Sequence, residues 1–204
     1  MAKRHEGKTM LVTGAAGAIG FATCRILAEE GARVMLVDID DARLKTRTAE
    51  LKAAGHDAIA FHADCAEEPQ VKAYAQAALD AFRHVDGFFN NAGIEGTLAP
   101  THEYDVAEFD HVLHVNLRGM FLGLRHVLPA MVARGRGAVV NTASIGSERG
   151  LAGACASVSP WRKAKARISA SVMGRKLARR ATCSLRCRCE SSPAPRRRSP
   201  TARR

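Results

Sequence analysis

Apolar residues follow two alternating rhythms along this chain. Short apolar runs at residues 10–13 (MLVT), 33–37 (RVMLV), 58–62 (AIAFH), 87–90 (GFFN) and 137–142 (GAVVNT) are bounded by glycine and polar residues, the pattern of buried strands. Longer stretches between them carry helical spacing. Residues 18–30 place Phe21, Cys24, Leu27 and Ala28 on one face, and Gly31 follows as a stop. Residues 41–54, ending before Gly55, and residues 67–83 predict two more helices. Residues 105–132 predict one long helix, with Phe109, Val112, Leu113, Asn116, Met120 and Leu124 at helical spacing. Strands that alternate with helices of this length imply right-handed βαβ units. The expected fold class is therefore α/β, a doubly wound parallel sheet.

The rhythm stops near residue 157. Of the 47 residues from 158 to 204, 33 are Arg, Ala, Ser, Pro or Cys. Such a composition predicts disorder, with a thin basic helix at 168–177 and no clear sixth or seventh strand. Two regions are expected: a folded unit at 1–157 and a basic tail at 158–204.

Charge divides at the same place. The 204-residue chain has 31 Lys plus Arg, 20 Asp plus Glu and a net charge of +11. Residues 1–160 carry 16 basic and 19 acidic groups, whereas residues 161–204 carry 15 basic groups and Glu190 alone. The basic balance thus says nothing about the first region. The tail has a single aromatic residue, Trp161, so an evolved nucleic-acid partner is not expected. A catalytically dead binding module whose basic tail holds nucleic acid or other polyanions is the alternative function.

No apolar run is long enough to span a membrane, and no signal peptide is evident, so the expectation is a cytoplasmic protein without a membrane partner. Cys183, Cys187 and Cys189 crowd the tail but lack a second ligand pair. His111 and His114 are too few to hold a metal, and they predict an ordinary helix-surface pair. No metal is expected.

Candidate chemistry gathers at strand ends. Residues 13–20, TGAAGAIG, join the first strand to the first helix. Glycines there permit a tight turn, and a helix N-terminus offers free N–H groups to a pyrophosphate. Asp38 ends the second strand, where a carboxylate accepts ribose hydroxyls and repels a 2′-phosphate. NAD is therefore the expected cofactor, in preference to NADP.

With NNAG at residues 90–93, these motifs resemble the short-chain dehydrogenase/reductase family, which has a Rossmann-type fold. The resemblance covers residues 6–156. The family pattern TGxxxGxG falls on Thr13, Gly14, Ala18 and Gly20, with Ala18 in place of the middle glycine and Gly17 beside it. The resemblance implies cofactor contacts at Gly14, Gly17, Ala18, Ile19 and Gly20. It implies further contacts at Asp38, at Asp64 beside the adenine, and at Asn91, Ala92 and Gly93 beneath the ribose. Cys65 follows Asp64 at the same strand end and is expected to touch the cofactor without chemistry of its own. Asn116 matches the family's structural and proton-relay Asn, and Ser144 its catalytic Ser. The segments NNAGIEG, NLRGMFLGL and VVNTASIGSERG resemble the levodione-reductase-like, NAD-dependent branch, which acts on cyclic ketones and secondary alcohols. Glu95, in the first of these, reads as an ordinary loop carboxylate near the pocket mouth.

The resemblance then breaks. The family's reaction passes a proton through a Tyr whose pKa is lowered by a Lys four residues later. Thirteen residues after Ser144 stands Ser157, and four further stands Trp161. Serine is too weak an acid, and indole exchanges no proton at this pH. Pro160 falls where that helix would run. The family's last strands, its substrate lid and part of its oligomer interface are likewise expected to be missing. A reading-frame shift near codon 157 accounts for the coincident change in motif and composition. The inherited function is NAD-dependent interconversion of a small alcohol and ketone; the chain as written is expected to be inactive.

Overall fold

Strand β1 (Thr9–Thr13) forms the middle of the sheet, pairing in parallel with β2 (Arg33–Asp38) on one side and β4 (Gly87–Asn90) on the other. Beyond β2 lies β3 (Ala58–His62), and beyond β4 lies β5 (Gly137–Asn141), both parallel. A two-residue strand, β6 (Arg167–Ile168), pairs antiparallel with the start of β5, giving the order β3-β2-β1-β4-β5-β6. This computed structural model describes residues 3–144 and 167–168. All of them belong to the first of the chain's two units, Met1–Ser171.

The five parallel strands follow the sequence expectation to within one residue at each end. Ile168 departs from it. Expected to open a basic helix, it lies in a strand, because the outer edge of β5 offers backbone groups at Gly137 and Ala138 that an extended segment satisfies. Ser157, Trp161 and the rest of the expected tail fall outside the described residues.

Helices α1 (Ala18–Glu29) and α2 (Asp41–Ala53) cover one face of the sheet. Val12, Val34, Leu36 and Ala58 meet Cys24, Ala28, Leu44 and Leu51 there. Asp40 caps α2 by accepting the Arg43 N–H at 2.9 Å. The opposite face packs Leu11, Met35, Phe88 and Val139 against α3 (Glu68–Phe82) and a later helix pair, with Tyr74, Leu122 and Met131 in the same cluster. The alternation of Leu11 with Val12, and of Met35 with Val34 and Leu36, is the period-two pattern of a sheet buried on both sides. On β5 that double cover fails. Val140, in register with Phe89, is 52% exposed.

The expected single helix over 105–132 is a correction. It consists of α4 (Val106–Leu113), a π-helical turn (His114–Gly119) and α5 (Met120–Ala133). Asp105 caps α4 through the Glu108 N–H at 2.8 Å. The wide turn arises where Asn116 bonds across to the Ile94 backbone, its Oδ1 accepting the N–H and its Nδ2 donating to the carbonyl, each at 2.8 Å. A one-residue bulge shifts the later positions by less than a third of a turn, so hydrophobic spacing alone does not expose it.

At the amino ends of the strands, Asp86 gathers three elements. Its Oδ2 accepts the Thr9 N–H at 3.1 Å, and Arg134 Nη1 donates to Oδ1 at 3.1 Å. His84 Nε2 stands 3.1 Å from Oδ2, while the Asp86 carbonyl accepts the Ala138 N–H at 2.9 Å. Burial pushes this carboxyl upward, but the Thr9 N–H and the Arg134 guanidinium outweigh it and hold it below its ordinary 3.8. A lowered carboxyl stabilises the fold fully above about pH 4 and loses that effect as the pH falls through the folded value. Asp86→Asn should therefore cost about 1–3 kcal/mol at neutral pH by urea unfolding. The gap to the wild type should close in acid. A gap that persists at the lowest pH would assign the effect to shape instead of charge.

Candidate functional site

The sheet changes its winding direction between β1 and β4, and a crevice opens there at the carboxyl ends of the strands. One wall is the turn from β1 into α1. Gly14 has a φ of +64°, and a Cβ on it would stand 3.0 Å from the Ala92 Cα. A Cβ on Gly20 would stand 2.1 Å from the Gly14 carbonyl oxygen, so glycine at this position lets the helix start directly on the turn. Gly17 precedes α1 without a side-chain cap, which leaves first-turn N–H groups directed at the crevice. Ala18 and Ile19 open the helix and are exposed on its rim.

Asp38 stands at the carboxyl end of β2 with both oxygens fixed. Oδ2 accepts the Ala16 N–H at 2.8 Å, and Oδ1 accepts the Asp40 N–H at 3.0 Å. Each oxygen retains lone-pair capacity toward the crevice. After β3, Asp64 Oδ1 accepts the Ala66 N–H at 2.8 Å. The adjacent Cys65 is buried, and burial pushes its thiol up to about 12, so it stays protonated and inert at neutral pH.

After β4, the buried Thr13 hydroxyl accepts the N–H groups of Asn91 at 2.9 Å and Ala92 at 3.1 Å. Asn91 Nδ2 donates to the Thr13 carbonyl at 3.2 Å, and its Oδ1 accepts from the Thr142 hydroxyl at 2.9 Å. Gly93 lies against Asn116, whose Oδ1 would be 3.0 Å from a Cβ there. Ser144 lies three residues beyond the end of β5.

A single open cleft of about 1050 Å³ joins these groups. Gly14, Gly17, Ala18, Ile19, Gly20, Asp38, Asp64, Cys65, Asn91, Ala92, Gly93, Asn116 and Ser144 all line it. Its size and its succession of glycine turn, helix N-terminus and strand-end carboxylate fit a dinucleotide. Ile39, Arg43, Leu98, Val115 and Thr142 also line the cleft but carried no sequence motif. Glu95 and His111 do too, so His111 is more than half of a surface pair; His114 turns instead to Glu67 Oε1 at 3.6 Å. The position of Arg43 three residues into the helix capped by Asp40 was the one available signal for it.

The family model for short chain dehydrogenases matches residues 8–159. The chain belongs to the short-chain dehydrogenase family. Levodione reductase of Leifsonia aquatica is 45% identical over 150 residues, which is 72% of this chain and 56% of that protein. The crystal structure of levodione reductase superposes with a TM-score of 0.74 at 43% identity, covering 76% of this chain and 61% of that one. NAD+-bound xylitol dehydrogenase gives a TM-score of 0.75 at 35% identity, covering 76% and 60%. The chain thus spans little more than half the length of the curated relatives it matches.

The glycines of the turn differ in what they tolerate. Gly20→Ala forces backbone apart and should lower stability by about 3 kcal/mol or more. Gly17→Ala meets Gly14 O at an ordinary 3.4 Å and should cost less than about 1 kcal/mol. Chemical denaturation of the two variants checks the contrast. Equal losses would show that crowding at Gly20 does not set the turn.

Proposed function

We propose that this chain binds NAD(H) in the cleft and does not complete the hydride transfer of its lineage. The observation that carries the first half is the Asp38 carboxylate, oriented by two backbone N–H groups beside a glycine turn. An oriented carboxylate accepts a pair of ribose hydroxyls, whereas a 2′-phosphate would bring a second anion against it. Arg43 also lines the cleft, but its Nε stands 3.6 Å from Asp40, which partly answers its charge. The N–H groups at the start of α1 face the pyrophosphate. Asp64 and Cys65 take the adenine end, and Asn91, Ala92 and Gly93 the ribose.

When bound, the nicotinamide accepts a hydride from a carbinol carbon or returns one to a carbonyl. Ser144 would hold the substrate oxygen, and Asn116 fixes the Ile94 segment of the wall. Among the described residues, no tyrosine lines the cleft to exchange the substrate's proton. The two tyrosines are Tyr74 and Tyr104, both before Ser144. The Tyr74 hydroxyl sits in the core, where burial pushes its pKa upward, away from acid–base use. Ser157 and Trp161 occupy the spacing of the family's Tyr and Lys.

The similarity to levodione reductase supports a cyclic ketone or secondary alcohol as the ancestral substrate. Residues 1–157 form the binding unit, and 158–204 are an appended basic segment read from a shifted frame. Support for that boundary is the end of the family match at residue 159, where the composition also turns. The protein is cytoplasmic, and its homo-oligomer interface is incomplete.

Calorimetric titration of the full chain tests this reading. NAD+ should bind at least about tenfold tighter than NADP+, and Asp38→Asn should erase most of that difference. With a cyclic secondary alcohol and NAD+, no reduced nicotinamide should accumulate. Sustained NADH formation would overturn the inactive half of the reading, and an absence of NAD+ binding would overturn the rest.

A further inference from the structure

The turn after β3 is one wall of the cleft, and the helix that carries Asn116 holds it from behind. Within the turn, Asp64 Oδ1 accepts the Ala66 N–H, and Gln70 Oε1 accepts the Asp64 N–H, each at 2.8 Å. From outside, Arg118 Nη1 donates to the Ala66 carbonyl. Gly119 passes so close that a Cβ on it would stand 3.0 Å from the Cys65 carbonyl oxygen. Nearby ion pairs add to the contact: His126 Nε2 is 3.0 Å and Arg125 Nε is 3.5 Å from Glu68 Oε1. Arg118 lies two residues after Asn116, whose amide holds both backbone groups of Ile94. One helical turn therefore touches two walls of the same cleft.

We propose that Arg118 is a positioning residue for nucleotide binding. Its guanidinium fixes the Asp64–Cys65 wall against the Asn116–Ile94 wall through the Ala66 carbonyl. The inference rests on the reading of the cleft as a nucleotide site. Arg118 is not among the residues lining the cleft, so it acts through the Ala66 peptide and not by touching the ligand. A guanidinium bonded to a carbonyl is a charge-assisted hydrogen bond, stronger than a neutral one. The acceptor is a neutral peptide carbonyl, which does not titrate. The exposed Arg125–Glu68 pair is of the weaker kind. Without Arg118 the turn keeps its internal Asp64 bond but loses its outward restraint. The cost of ordering it then falls on ligand binding.

Titration of the full chain with ADP-ribose tests this. Arg118→Met keeps the apolar stem, removes the donors and should weaken binding about tenfold, the effect of losing one charge-assisted bond. Arg118→Lys, which can still donate to the carbonyl, should recover most of the affinity. Arg125→Ala removes the same charge from the same helix and should stay within about twofold of the wild type. Thermal unfolding of all three should match the wild type, since Arg118 is exposed. If Arg118→Met lowers the melting temperature, the affinity of the folded Arg118→Lys variant decides: recovery to the wild-type value upholds the role, and a tenfold loss overturns it. Equal losses in Arg118→Met and Arg125→Ala would assign the effect to charge and overturn it too. Wild-type chain that fails to bind ADP-ribose would instead remove the nucleotide reading on which this one stands.

Discussion

Where β1 and β4 part at their carboxyl ends, the buried Thr13 hydroxyl accepts two N–H groups, those of Asn91 and Ala92. Divergence of two paired strands leaves backbone donors without partners in a place that water does not reach freely. Thr13 supplies the missing acceptor. The same junction continues through Asn90, whose Nδ2 donates to the Met120 carbonyl at 2.9 Å and to Asn141 Oδ1 at 3.2 Å. Asn91 then accepts from Thr142. Four elements thus meet on one set of neutral amides and hydroxyls. That set lies at the base of the cleft, where the glycine turn leaves Thr13 and the Asn91–Gly93 segment leaves Asn90.

The two ends of the sheet are closed by different chemistry. At the amino ends Asp86 draws in Thr9, His84 and Arg134, so charge does the joining. At the carboxyl ends the joining groups carry no charge. Protonation of Asp86 in acid would therefore weaken the joint at the end remote from the cleft, whereas the amides and hydroxyls that join the carboxyl ends do not titrate in that range. Carboxylates in the cleft wall, Asp38 and Asp64, are held by backbone N–H groups and not by cations. This leaves them open to hydroxyl groups of a ligand, where a paired carboxylate would already be satisfied.

Strands and their order of appearance were legible because each is a short apolar run closed by a turn residue. Asp38, Asp64 and the residues after β4 were legible because each follows such a run directly. The π-turn at His114–Gly119 was not, since the apolar positions on either side still match a helix. The bonds of Thr142 to Asn91 and of Arg118 to Ala66 were not legible either. Each joins residues about fifty positions apart, and neither a threonine after a strand nor an arginine on a helix announces which backbone it will meet. The place of His111 in the cleft lining was not legible for a related reason. Its exposed position on α4 is ordinary for a helix surface, and the cleft exists only once Ile94 and Leu98 are brought over it.

On the proposed reading, the chain order of the cleft explains how binding and chemistry come apart. In a doubly wound sheet, a dinucleotide is contacted by the turns that follow β1, β2, β3 and β4. Here all of those turns lie before Asn116, within the segment that matches the family model. The proton-exchanging pair of the family belongs beyond β5, after Ser144. On the proposed reading, a change of sequence near residue 157 would remove the acid–base step and spare the groups that face the nucleotide. Val140, in register with the half-buried Phe89 of β4, stays 52% exposed on the strand where further cover would be expected.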